Sequence, residues 1–278
     1  ESLIVSARAA LKRLHDALLA PLAAEMTTRA GHDLIVVPHG PLHYLPFAAL
    51  FDGHSYLSER YALRLLPSAG LLRHVGPSTV DMSGGRITGG EFLAVGYSSN
   101  DQLPAARTEA TSIARLMSGT ALVEEAATAA ALRDWAPRLR AAHLATHAEF
   151  RADNPLFSGL ALADGWLTTL DLFDWRLNAS LVTLSACQTG RSVIGGGDEI
   201  LGLLRALLYA GARSIVASLW PVQDTATEAL MERFYTALAA GQHKSLALQH
   251  AQQGLRSEGY GHPYFWAPFF LVGDSGPL

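Results

Sequence analysis

The chain has 278 residues, 49% apolar and 17% charged, with a formal net charge of −4. That much apolar material can bury a large core, so the protein is globular, with room for one large domain or two small ones. Basic residues occur singly or in pairs and no long apolar run or charged leader segment is found in these residues, so no electrostatic footprint for nucleic acid, membrane span or signal peptide is expected within them.

The one cysteine, Cys187, can form no internal disulfide, which fits a reducing compartment and an expected cytoplasmic location. The chain opens on Glu1 rather than methionine, so the reading leaves an upstream domain open.

Along residues 3–30, Leu3, Ala7, Ala10, Leu11, Leu14, Leu18, Leu19 and Leu22 recur at helical spacing, interrupted by Pro21, and predict an amphipathic opening helix. The short apolar runs "LIVVP" (34–38), "LHYLPFAAL" (42–50) and "YALRLLPSA" (61–69) predict two or three strands and a short helix. "VDMSGGRITGGE" (80–91) is glycine-rich and poor in core residues, and reads as a linker or long loop. The division placed there gives residues 1–88 as a supporting part and residues 89–278 as the main domain.

Beyond it the pattern becomes regular. Strands are predicted at "FLAVGY" (92–97), "AHLATH" (142–147), "LVTLSAC" (181–187) and "RSIVASLW" (213–220), and helices over 108–118, 128–139, 198–210, 225–240 and 246–257. Continuous apolar strands alternating with helices mean an α/β fold, a mostly parallel sheet covered on both faces. In the 198–210 helix, Ile200, Leu201, Leu203, Leu204, Leu207 and Leu208 wrap most of the circumference and Gly211 suits a C-terminal cap, so deep burial is expected. "YFWAPFFLVGD" reads as a closing strand packed by aromatics.

In open parallel sheets ligands bind at the carboxyl ends of the strands. His147 and Cys187 both sit at such ends, far enough apart in sequence for the crossover between two neighbouring parallel strands. A histidine beside a cysteine at the mouth of a sheet is the arrangement for nucleophilic attack on an acyl group. A lone cysteine is also often a small buried hydrophobe, but Cys187 ends its strand and is followed by polar Gln188, Thr189 and Gly190.

Other constellations are weaker. His143 and His147 would form a metal pair only on a helix, and in a strand they stand about 13 Å apart. His39 and His43 have no evident third ligand and lie in a proline-rich turn; no metal and no cofactor is expected. The run "IGGGDE" lacks the lysine of a phosphate-binding loop, and reads better as a mobile loop with Asp198 capping the next helix. Asp224 sits between a strand and a helix; Thr225 and Glu228 form a capping box there, which leaves Asp224 free to select a cationic side chain.

These segments together resemble a known family. "VVPHGPLHYLPFAAL", "HLATHAEF", "LVTLSACQTG", "GLLRALLYAGARSIVASLWPVQDTATEALMERFYTAL" and "HPYFWAPFFLVGD" look like the CHAT domain, a caspase-like cysteine peptidase domain related to separase, found in bacteria and often following TPR repeats; the resemblance runs from about Leu34 to Asp274. It implies a caspase-hemoglobinase-like three-layer α/β/α sandwich, with residues 1–88 as a degenerate protease-like half. It also implies His147 and Cys187 as the catalytic dyad, backbone amides of Cys187 and Ala148 as the oxyanion hole, and Asp224 as the residue that binds arginine at the cleavage position. The expected activity is a cysteine endopeptidase cutting after Arg or Lys, controlled by an upstream repeat or sensor domain; the competing readings are a catalytically silent scaffold and a nucleotide-binding domain. The family commonly has glycine after the histidine where this chain has Ala148, and a methyl group there would narrow the oxyanion site or meet a backbone that only glycine tolerates.

Overall fold

The opening periodicity folds as helix α1 (Ser2–Leu18), a 3-10 turn carrying Pro21, and helix α2 (Ala23–Thr27). This is a computed structural model, and it describes residues 2–27, 33–73, 91–99, 103–151, 153–185 and 198–278. Arg8 fastens α1 to the body: its Nε donates to the Tyr56 hydroxyl at 3.0 Å and its guanidinium lies over the rings of Phe51 and Tyr56. Next come β1 (Asp33–Val36), helix α3 (Leu57–Arg60) and β2 (Ala62–Leu65). The run at 42–50 is not a strand. It forms 3-10 turns at Gly40–Tyr44 and Phe47–Ala49, because Pro41 and Pro46 each remove an amide donor and fix φ. Most of the expected linker, residues 80–90, lies outside the described residues.

The regular part follows as β3 (Glu91–Gly96), α4 (Ala105–Leu116), β4 (Thr120–Val123), α5 (Ala129–Trp135) and β5 (Leu139–Ala145). A small hairpin sheet comes next: β6 (Ala148–Glu149), β7 (Gly159–Leu162) and β8 (Gly165–Thr168), then the short helix α6 (Thr169–Leu172). The chain continues through β9 (Leu181–Leu184), α7 (Asp198–Ala210), β10 (Ser214–Ser218), α8 (Asp224–Ala239), α9 (Lys244–Ser257), α10 (Pro263–Trp266) and β11 (Phe269–Gly273).

Eight of the described strands form one sheet in the order β1-β2-β11-β10-β9-β5-β3-β4. All neighbours are parallel except β10 and β11. The sheet thus has two parallel blocks, and β3, β4, β5, β9 and β10 all end at the same edge. Residues on both sides of the expected division near position 88 share this sheet, since β2 pairs with β11.

Alternate residues of the central strands enter two separate cores, as a sheet covered on both faces requires. Leu93, Ala142, Leu144, Val182, Leu184 and Ile215 pack with Leu203, Leu204 and Leu207 of α7. Ala94, Ala141, Leu181 and Val216 pack on the other face with α4, α8 and α9. The expected three-layer α/β/α arrangement is therefore what forms. The α7 helix is less enclosed than its leucines imply, since Tyr209 is 67% exposed and Arg205 also faces out. It ends as expected on Gly211 at φ 114°, where a side chain would run into the Leu177 carbonyl. Gly96 has a comparable role at the end of β3: a Cβ there would collide with the Ala106 backbone, so glycine lets α4 lie close on the sheet. Among the described residues no helix is long and apolar enough to cross a membrane.

Candidate active site

The chain order places β4 outside β3 and then returns past it to β5, so the winding direction reverses between β3 and β5. A crevice for a ligand forms at such a reversal, outside the carboxyl ends of the strands. His147 lies there, two residues beyond the end of β5. The two turn residues are held from the far side by β7: Ala161 N–H donates to the His147 carbonyl at 2.8 Å, and Thr146 Oγ1 donates to the Ala161 carbonyl. Both the strand and the hairpin thus fix the backbone that carries the imidazole.

His147 is 3% exposed, and neither Nδ1 nor Nε2 has a hydrogen-bond partner among the described residues. Burial holds its pKa below the usual histidine range. A buried, neutral imidazole with both nitrogens uncommitted is equipped to move a proton.

Ala148 begins β6 and pairs with Leu160. Its backbone is not in the left-handed region, which among the described non-glycine residues is occupied by Ser99, Ser118 and Glu124 alone. The methyl group is 1% exposed and packs into the core on the α7 face. The position therefore demands no glycine conformation, and the side chain points into protein.

Cys187 lies outside the described residues, as do Gln188 to Gly190 and the glycine run at 195–197. The described chain reaches Ser185, whose amide donates to the Leu144 carbonyl at 3.0 Å. This bond continues the parallel ladder of β5 and β9 by one step past its last pair, Leu144 with Leu184.

Asp224 is exposed and stands at the first turn of α8, beyond the end of β10, which is the second strand over from β5. The expected capping box is absent. The helix begins at Asp224 with Gln223 as its N-cap, and no side chain caps it. The turn through Pro221 and Val222 starts the helix one residue early, so Thr225 is already inside it. Asp224 is itself placed to interact with the positive end of the helix, and it keeps an open face to solvent. Nearby in sequence, Trp220 stacks on Tyr264, whose hydroxyl donates to the Pro221 carbonyl at 2.8 Å.

A buried polar network beneath the strand ends is absent from the sequence expectations. His143 is fully buried; its Nδ1 lies 3.2 Å from the Tyr235 hydroxyl and its Nε2 3.1 Å from Glu109 Oε1. Tyr235 donates to Thr183 Oγ1 at 2.8 Å, and Ser185 Oγ donates to Glu109 Oε1 at 2.6 Å. The only sequence signal was a pair of hydroxyls, Thr183 and Ser185, at alternate positions of an otherwise apolar strand. His143, read there as half of a discarded metal pair, is a member of this network.

Residues 8–274 match the CHAT domain. Among curated proteins the chain is similar to tetratricopeptide repeat protein 28 of Homo sapiens, 28% identical over 330 residues, and of Mus musculus, 26% identical over 335 residues. Each match covers 98% of this chain and 13% of the relative, so the chain spans a small part of those proteins. Among solved structures it is similar to the Saccharomyces cerevisiae separase–securin complex, with a TM-score of 0.59 and 14% identity over 84% of this chain and 15% of that chain. The likeness is one of fold, and the fold is caspase-like.

Proposed function

The chain belongs to the CHAT domain family, and from that premise we propose that it is a cysteine endopeptidase that cleaves proteins after arginine or lysine, with Cys187 as nucleophile and His147 as proton carrier. One observation carries this reading. The ladder between β5 and β9 pairs Ala141 with Leu181, Ala142 with Val182, His143 with Thr183 and Leu144 with Leu184. The two strands are thus hydrogen-bonded neighbours that end together, and in sequence His147 comes two residues after the end of β5 and Cys187 three residues after the end of β9.

In the proposed reaction His147 takes the proton of the Cys187 thiol, and the resulting thiolate attacks the scissile carbonyl carbon to form a tetrahedral intermediate. The amides of Cys187 and Ala148 hold its oxyanion. His147 gives a proton to the leaving amine as the C–N bond breaks, and water then hydrolyses the acyl-enzyme to free the thiol. Asp224, exposed with no side-chain cap to make, supplies the negative charge for a basic side chain before the scissile bond. Trp220, four residues before Asp224 in sequence and stacked on Tyr264, offers an aromatic surface for the same cation. A reducing cytoplasm suits an enzyme whose one cysteine is its nucleophile. The similarity to proteins named for tetratricopeptide repeats supports a peptidase controlled by an attached or partner sensor domain.

The test is N-terminal profiling by mass spectrometry of a cell lysate incubated with the protein, with Cys187→Ala and with Asp224→Asn. New termini following arginine or lysine that need the intact cysteine, and that decline with Asp224→Asn, support the proposal. Profiles identical across all three, in the presence of the sensor partner, overturn it and leave a binding scaffold.

A further inference from the structure

We propose that Glu109 is a positioning residue for the nucleophile, acting through Ser185; this rests on the peptidase reading above. Glu109 is on α4, yet its carboxylate reaches across to the carboxyl end of β9, where Oε1 accepts from Ser185 Oγ at 2.6 Å. Ser185 is two residues before Cys187 in sequence, so the bond ties down the last described residue before the nucleophile. The same oxygen stands 3.1 Å from His143 Nε2, without hydrogen-bond alignment. His143 is four residues before His147. One carboxylate therefore touches the two strands from which both members of the dyad emerge.

The cost of the arrangement argues that it does something. Glu109 is 7% exposed, His143 fully buried and Ser185 9% exposed. Polar groups taken that far out of water stabilise a fold only when fully partnered, and apolar residues of like size would pack there at least as well. What the hydrogen bonds from Ser185 to Glu109 and from Tyr235 to Thr183 give that an apolar core does not is a single geometry, even with His143 Nε2 unbonded beside the carboxylate. α4 is a suitable anchor. Its Ala106 and Ala110 lie close against β3 at Gly96, so the carboxylate projects from a helix fixed to the sheet. The Ser185 hydroxyl and the Ser185 amide, which donates to Leu144, hold the strand end from two directions.

The chain's only cysteine makes the test direct: the rate at which iodoacetamide alkylates Cys187 in the whole chain at pH 7 reports how well the thiol is activated, without any substrate. Four variants are needed: Ser185→Ala, Glu109→Leu, Glu109→Gln and His147→Ala, each with its melting temperature and circular dichroism. A glutamine keeps the oxygen that accepts from Ser185. The proposal expects Ser185→Ala and Glu109→Leu to slow alkylation at least about tenfold, since a displacement of about 1 Å at a reacting group is costly, and Glu109→Gln to stay within about threefold of the wild-type rate. A purely structural carboxylate would lower the melting temperature in all three variants and leave the rate of the folded fraction unchanged, which overturns the proposal. If His147→Ala alkylates at the wild-type rate, the dyad itself fails and the role of Glu109 with it. If His147→Ala is slowed while Ser185→Ala and Glu109→Leu are not, the dyad stands and only the positioning role falls.

Discussion

His143 on β5 stands opposite Thr183 on β9, and one side chain, Tyr235 from α8, touches both. The phenol is fully buried, and burial pushes its pKa well above the usual tyrosine value, so it stays neutral. With its proton given to Thr183, the Tyr235 oxygen is left to accept from His143 Nδ1–H, while Nε2 lies 3.1 Å from Glu109 Oε1.

Tyr235→Phe removes this hydroxyl and leaves the rings in place, including the edge contacts of Tyr235 with Phe92 and Phe234. The variant strands a buried donor on His143 and a hydroxyl on Thr183, so a loss of about 1–3 kcal/mol is expected. Urea denaturation measures it. A loss below about 0.5 kcal/mol would mean that the bonds contribute nothing net.

Much of this architecture can be read from the sequence, and the parts that cannot share a cause. The runs at 92–97, 142–147, 181–187 and 213–220 announce central strands because both faces of each are covered, which leaves a continuous apolar signal. His147 stands out for the same reason, as a polar residue where such a run stops. The hairpin of β6 to β8 is invisible because its strands are short and its alignment is set by tertiary bonds such as that from Ala161 to the His147 carbonyl. Glu109 is hidden within "ARTEATSIARL", where a carboxylate on a helix reads as a solvent-facing residue; only its reach to Ser185 on another element reveals it. Asp224 is misjudged by one residue, since the start of α8 depends on the turn before it rather than on the Thr225 and Glu228 pattern.

Ala148 allows a sharp prediction against the family habit of glycine at that place. The Ala148 methyl is buried in the core and its φ is ordinary. Ala148→Gly therefore removes packing and adds freedom to the unfolded chain, for a loss of about 1–2 kcal/mol. Peptide hydrolysis by the folded protein is expected to stay within about twofold, because in the proposed reaction it is the amide, not the methyl, that serves the oxyanion. A stabilised variant, or one with a large gain in kcat, would show that the methyl does obstruct the site.

A second buried charge lies at the opposite end of the sheet. Lys244 is fully buried, with Nζ 3.0 Å from Asp274 Oδ2 and 3.2 Å from Ser180 Oγ. Desolvation lowers its pKa, and Asp274 opposes that shift. Asp274→Asn leaves the ammonium with neutral partners only and is expected to cost about 3–5 kcal/mol, whereas Lys244→Met, which removes the buried cation, should cost less. Equal costs from the two variants in urea denaturation would refute this ordering.

His147 sets the direction of a pH dependence. In the unfolded chain an imidazole takes up a proton near its ordinary value of 6.5, and in the folded chain burial moves that uptake to lower pH. Between the two values the unfolded state binds more protons than the folded one, so unfolding becomes easier as pH falls. The stabilising effect of keeping His147 neutral is thus complete above 6.5 and is lost as pH drops through the lowered folded value. His147→Ala removes the group from both states. Urea denaturation of the two proteins at pH 7.5 and at successive lower values should show a steeper loss in the wild type, starting below about 6.5. Parallel stability curves would mean that the imidazole gains a partner on protonation, and that its burial does not set the proton affinity of the site.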